Sequence, residues 1–465
     1  MSPESRARTE ERADRADGGT RRRFAVYGTG HRAGMYVTAM TGRHADVAVP
    51  VAWCDTNETR MRYYDGQVRE PGLNPRHYRP EHLERMLAEE SVDVLLVCSP
   101  DHTHAQAVST ALSAGVDVIC EKPLTTDAAG LRQIRGAVEA SSARLTVTFN
   151  YRYSPRNGAL RQVIADGTIG RPLSVHFEWL LDTIHGADFF RRWHRDKARS
   201  GGLAVHKASH HFDLVNWWLD DAPTVVTALG GLRFYGDHGA GRPEGSRPAL
   251  GRDATGSDPF GFDMAADDRL RALYLEAEGE DGYVRDRDVF DAGIDIEDTL
   301  SVLVGYRSGA SMTYSLTAHS PWEGYRVSIN GTRGRAELEV VERTHVAAGE
   351  ASDLLAWKEE RPAVGASEAS AGGGTGGARS NGTRLVVQKH WELAREIAVN
   401  EREGGHGGAD ELLLSDLFRG PGEDPLRRQA SYVDGLRSVA VGVAVNTSLA
   451  EGRSVQLSEL GVGLD

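Results

Sequence analysis

The sequence predicts an α/β protein in two parts: a doubly wound parallel sheet over residues 23–149, then a second α/β unit over 150–465. Three observations carry this. From Phe24 onward, short apolar β-rich runs alternate with helical stretches, the pattern of strands that helices bury on both faces. A glycine-punctuated turn, GTGHRAG, follows the first of those runs. At 465 residues the chain is also too long for one ordinary core.

The elements justify the first part in chain order. FAVYG, VPVAWCD, VDVLLVCSP, VDVIC and LTVTFN read as strands, with helices over about 31–42, 57–66, 81–89, 102–114 and 127–140. In the second part PLSVHFEWLLD, TVVTALGGLRFYG, DTLSVLVGYRSG, ASMTYSLTA and YRVSINGTRGRAELEV read as strands, several with period-2 alternation. Residues 236–285, rich in Gly, Asp and Arg, read as an insertion. Residues 361–383 read as a second one, a low-complexity loop. RQASYVDGLRSVAVGVAVNTSLAEG reads as a closing amphipathic helix, and residues 1–22 as a disordered polar tail without the apolar core of a signal peptide.

Composition narrows the function classes. Net charge is −13, so the chain has no generic attraction for polyphosphate, and nucleic acid is not an expected partner. No run approaches the ~20 apolar residues of a membrane span, so a membrane is not expected either. Cys54, Cys98 and Cys120 lie scattered in apolar runs, as buried thiols of a reducing compartment do; a cytoplasmic location is expected.

The turn after the first strand has the G-x-G-x-x-G/A form, with Gly28, Gly30 and Ala33. Gly28 permits the tight turn, and Gly30 lets the backbone approach a pyrophosphate. The helix that follows offers free N–H groups, so Thr29, His31 and Arg32 join the expected cofactor contacts. Asp55 ends the second strand, where a carboxylate accepts the ribose hydroxyls and repels a 2′-phosphate; NAD is expected over NADP. Arg60, one turn on, softens that discrimination. Asp55 also stands where a helix cap would. Ser99, Pro100 and His104 follow a strand end at the sheet's carboxyl edge, where such folds bind ligands, with His104 expected to position backbone rather than react.

VDVICEKP places Glu121 and Lys122 at the end of a buried strand, on that same edge. A lysine there can hydrogen-bond a substrate hydroxyl and help remove its proton, provided burial or a nearby cation lowers its pKa. A plain Glu–Lys surface pair is the alternative.

Five pieces in this order, GTGHRAG, CSPDHTHAQAV, EKPLTTD, NYRYSP and GGLAVHKASHHFDLVNWWL, resemble the Gfo/Idh/MocA oxidoreductases, named for glucose–fructose oxidoreductase, inositol dehydrogenase and a rhizopine-catabolism protein. The resemblance implies an N-terminal Rossmann domain and a C-terminal α/β domain. In the latter, a large, mostly antiparallel sheet carries a helix against the active site and often forms the interface of a homodimer or homotetramer. It implies NAD(P)-dependent hydride transfer to or from a secondary hydroxyl of a sugar, cyclitol or derivative. Some relatives instead cleave a glycoside through transient oxidation, and a few are regulators without catalysis.

The family segment runs G-G-x-x-x-D-x-G-x-H-x-x-D. Aligned on Gly201 and Gly202, it puts His210 on the family histidine and Asp213 on its second aspartate. His206 then stands in place of an aspartate, and Ala208 in place of a glycine. On an unbroken helix His206, His210 and Asp213 share one face. His210 is therefore expected as general base, Lys122 as hydrogen-bond donor to the same oxygen, and His206 as a cationic neighbour that lowers the pKa of His210. A metal shared by His206 and His210 is the competing reading, with His185, His194 or Asp213 as third ligand; no metal is the expectation. Solvent-side polar positions on a packed helix are the bland one, favoured for His211. Upstream, DTIHGADFFRRWHRDK adds His185, Arg192, Trp193 and His194, rings beside donors that suit a carbohydrate. Tyr151 and Arg152, from NYRYSP, complete the expected substrate contacts.

Overall fold

The computed structural model describes residues 21–244, 249–253, 258–347, 379–400 and 405–464. Its strands are β1 (Arg22–Tyr27), β2 (Ala48–Cys54), β3 (Arg76–Tyr78), β4 (Val94–Val97), β5 (Asp117–Cys120), β6 (Leu145–Val147), β7 (Pro172–Asp182), β8 (Pro223–Gly231), β9 (Thr299–Tyr306), β10 (Ser311–Ser320), β11 (Glu323–Gly331), β12 (Gly334–Arg343), β13 (Gly382–Lys389), β14 (Arg395–Ile397), β15 (Ala430–Ser431) and β16 (Val455–Gln456).

The first sheet has the order β15-β6-β5-β4-β1-β2-β3. All its pairings are parallel except the one β15 makes with β6. Every residue of β2 and β4 is buried, as helices on both faces demand. Those helices are α1 (Ala33–Thr41), α2 (Glu58–Asp65), α3 (Leu83–Glu89), α4 (His104–Ser113) and α5 (Ala128–Glu139).

The second sheet has the order β14-β13-β12-β11-β7-β10-β9-β8-β16. Only β7 with β10 is parallel. Burial alternates along β9 and β10, so one face is packed and one is open. Against the packed face and its ends lie α6 (Pro155–Ala165), α7 (Thr183–Arg191), α8 (Gly202–His206), α9 (Ala208–Leu219) and α11 (Tyr432–Glu451), while α10 (Gly405–Arg419) returns to pack on the first domain beside β1 and α1. Ser431 caps α11 reciprocally with Asp434.

Several boundaries differ from the sequence reading. Arg22, assigned to a tail, already lies in β1, because it pairs with Ala48; residues 1–20 lie outside the described residues. The loop expected over 361–383 lies outside them up to residue 378, but Gly382 and Thr383 open β13. The edge strands β3 and β14 and the helix α10 carried no strong periodic signal in the sequence. Within 236–285, the segment from Met264 to Asp281 folds into short helical turns that dock on the first sheet's nucleotide-facing loops.

Candidate active site

The first loop is built for a dinucleotide. Gly28 has φ +92, and a Cβ there would lie 2.4 Å from the Ser99 nitrogen, so only glycine lets the end of β4 pass beneath the turn. Asp55 Oδ2 accepts from the Thr29 amide (2.6 Å) and hydroxyl (2.9 Å), which locks the ribose-side carboxylate to the glycine loop. Arg32 turns back to Glu121, Nε to Oε1 at 2.5 Å, and Tyr36 donates to the same oxygen at 2.7 Å. Burial alone would raise the Glu121 carboxyl, but Arg32, Tyr36 and Lys122 hold it below its ordinary value. His104 lies between the Pro123 carbonyl (2.8 Å) and the Ser99 carbonyl (2.9 Å), and with burial favouring its neutral form it donates to one of them, beside both strand ends. Glycine turn, helix N-terminus and strand-end carboxylate together fit NAD; Gly28, Gly30 and the α1 N-terminus would hold the pyrophosphate and Asp55 the adenosine ribose.

The GGLAVHKASHHFD stretch is not one helix. It enters through left-handed Gly201 and Gly202 (φ +71 and +72) and breaks at Lys207 between α8 and α9. His210 N bonds to the Lys207 carbonyl (3.3 Å) instead of His206. The His206 carbonyl, released from the helical ladder, accepts from Lys122 Nζ at 3.2 Å. The break is therefore what joins the two halves of the site.

It also parts the histidines that an unbroken helix would have stacked. His206 Nδ1 meets Asp101 Oδ2 at 2.5 Å, and its ring stands edge-on to His194 at 4.2 Å and to Trp193 at 5.8 Å. His210 stacks on Tyr151 at 4.3 Å, with Phe149 at its edge. Lys207 donates to the Tyr151 hydroxyl at 3.0 Å and lies over Trp179. The expected cationic role of His206 is corrected accordingly. Burial, then Lys122, His194, Arg192 and Lys207, hold it well below the usual imidazole range, which works against a cationic role.

Burial pushes the Lys122 amine down to about 8, against the pull of Asp101 and Glu121, and Lys207 adds to the depression. Burial raises Asp101, and Lys122 opposes it. The carboxylate missing at position 206 is thus supplied from position 101. The sequence reading passed over Asp101, although it sits inside CSPDHTH, and it passed over Lys207 too.

Of the other expected contacts, Arg192 and Trp193 are partly exposed beside this group, and His194 is buried against them. His185 pairs with Glu323 at 2.7 Å and stacks on Phe189, whose edge meets His206; it supports the wall. Arg152 is corrected from substrate contact to structural ion pair. It is 2 % exposed and forks onto Asp213 at 2.6 and 2.8 Å, with Asp434 at 2.9 Å. Burial lifts Asp213 to about 7 even so. His211 is fully buried and meets the Tyr314 hydroxyl at 2.7 Å, which places it in the core and not on a solvent face. Among the described residues no three of His, Cys, Asp and Glu are grouped to hold a metal ion.

Residues 22–149 match the family model described as the oxidoreductase family, NAD-binding Rossmann fold, and residues 161–457 match that of the oxidoreductase family, C-terminal alpha/beta domain. The chain belongs to the Gfo/Idh/MocA oxidoreductase family. It is 35% identical over 391 residues to YteT of Bacillus subtilis (strain 168), a protein named as an oxidoreductase, covering 81% of this chain and 84% of that one. It is 29% identical over 223 residues to an inositol 2-dehydrogenase of Rhizobium meliloti (strain 1021), covering 47% of this chain and 62% of the relative. In fold it is similar to the WlbA dehydrogenase of Bordetella pertussis, solved with NADH and UDP-GlcNAcA. The TM-score is 0.58 at 18% identity, over 94% of this chain and 98% of that one. This is an NAD-binding oxidoreductase of the kind that acts on CH–OH groups. No described helix is long and apolar enough to cross a membrane.

Proposed function

We propose that the chain transfers hydride between NAD and a secondary hydroxyl of a sugar, cyclitol or derivative. The observation that carries this is Lys122: an amine lowered to about 8, at the carboxyl end of β5, bonded to the His206 carbonyl and flanked by Asp101. NAD, when bound, supplies the hydride acceptor. Lys122 hydrogen-bonds the substrate oxygen, and His210 receives its proton. Asp101 holds the His206 ring by Nδ1, which leaves Nε2 as the nitrogen to face a hydroxyl. Tyr151 and Trp193 are partly exposed, as is Arg192, a pairing of aromatic surface and donors that suits the CH groups and hydroxyls of a sugar. Asp55 favours NAD over NADP. The second sheet's Leu229 and Leu303, 77% and 52% exposed, support its use as the seam of a homodimer or homotetramer.

Replacing Lys122 by Met or His210 by Asn is expected to cut NADH formation by about 10²–10⁴-fold, while NADH binding stays intact. A panel of sugars and cyclitols beginning with myo-inositol checks this by absorbance; unchanged turnover in both variants refutes the role assignment. A second reading, glycoside cleavage through transient oxidation, draws support from the Asp101–His206 pair as an additional acid for a leaving group. Product formed from a glycoside without net NADH would select it.

A further inference from the structure

The insertion after β8 returns to the first domain and lies along the adenosine side of the dinucleotide loop. The Tyr274 hydroxyl accepts from the His31 amide at 2.9 Å, beside the α1 N-terminus. The Asn57 amide donates to the Ala277 carbonyl at 2.9 Å. Glu280 accepts from the Glu58 and Thr59 amides at 2.7 and 3.3 Å, capping α2 from outside. Four attachments of this kind, each with a backbone group on one side, fix the strap against the turn that follows Asp55.

What the strap does to Arg60 is the informative part. Arg60 sits one turn into α2, where an arginine is placed to meet a ribose 2′-phosphate. Here its guanidinium is already engaged. Nε donates to the Leu273 carbonyl at 3.1 Å, and Nη1 donates to Asp281 Oδ2 at 2.7 Å. Nη1 also stands 3.7 Å from Asp55 Oδ1, and the rings of Tyr274 and Tyr283 lie 5.7 Å away on either count. Arg60 is 7% exposed, and its Nη2 has no hydrogen-bond partner among the described residues. One cation is thus set between two carboxylates and held there by a backbone carbonyl.

We propose that Asp281 is a specificity-determining residue: by holding Arg60 in the strap, it withholds from a 2′-phosphate the buried positive charge that stands beside Asp55. Two carboxylates and one guanidinium leave a net negative corner, which accepts ribose hydroxyls and repels a dianion. This rests on the reading of Asp55 as the ribose contact and extends it to a second residue far along the chain.

The test is nucleotide binding by the whole chain, followed through NADH and NADPH fluorescence, which needs no substrate. Wild type is expected to prefer NADH. Asp281→Asn keeps the side chain's size but removes the charge that holds Arg60. The ratio of NADPH to NADH affinity should rise about tenfold or more, with NADH affinity little changed, which also reports an intact fold. Adding Arg60→Met to that variant should erase the gain. An unmoved ratio in Asp281→Asn, or a gain that survives loss of Arg60, overturns the proposal and leaves the Asp55 reading standing. A wild type that binds NADPH as well as NADH overturns both.

Discussion

Lys122 should reveal itself in stability as well as in turnover. Its amine falls to about 8 from the 10.5 of a free lysine, with burial the largest cause. Below pH 8 the folded and unfolded chains both hold the proton, and the folded state bears the full cost of a charge in a poorly solvated place. Between 8 and 10.5 the unfolded chain binds more protons than the folded one, so stability rises with pH through this window. At about 1.36 kcal/mol per pH unit, the full window from 8 to 10.5 amounts to about 3.4 kcal/mol. Replacing Lys122 by Met removes the titration. The loss of the His206 carbonyl bond adds an offset of its own. Urea unfolding of both proteins at intervals from pH 7 to about pH 10 gives the difference directly. Wild type should gain on Lys122→Met by up to about 3 kcal/mol as pH rises. A difference that stays flat, or that moves the other way, would refute a depressed amine at this position.

Other outcomes follow from the same geometry. Asp101→Asn should lower turnover by about 10²-fold. It should also move the alkaline limb of the pH–rate profile, where the Lys122 donor loses its proton, to lower pH, because it removes the carboxylate charge that holds that proton on; an unmoved limb speaks against this charge interaction. Arg152→Met strands the buried carboxylate of Asp213, takes the cation from half-buried Asp434, and should cost about 3–5 kcal/mol in urea unfolding, partly recovered when Asp213→Asn is added. Without that recovery, the ion pair is not what holds α9 to α11.

The parts of the molecule legible in the sequence are those fixed by short-range pattern. Fully apolar runs gave β2 and β4, and the glycine turn gave Gly28 its place under Ser99, because each depends on a few neighbouring residues. Lys122 was legible for the same reason, as the end of a buried strand facing a ligand edge. Asp101 was missed because its importance lies in a contact 105 positions away. The broken helix was missed because nothing in HKASHH marks a stop: no glycine or proline is there, and the break is held by tertiary bonds to Lys122. Arg152 was misplaced because an arginine beside a tyrosine looks like a sugar contact until Asp213 and Asp434 come into view. The strap was noticed only as a composition change, since its bonds to the first domain run mostly to backbone amides and carbonyls.

The pairing of β15 with β6 has a consequence for how the chain is made. The first sheet's edge beside β6 is not covered until Ala430 and Ser431 arrive, more than 280 residues after β6 itself. At about 5–20 residues per second, a ribosome leaves that edge open for many seconds while the whole second sheet is still emerging. During that interval Leu145–Val147 offers unpaired backbone groups to any other strand, including those of its own neighbours on a polysome. Aggregation on overexpression should therefore start at β6, both in a chain cut short before residue 430 and in the first domain made alone, since each lacks β15.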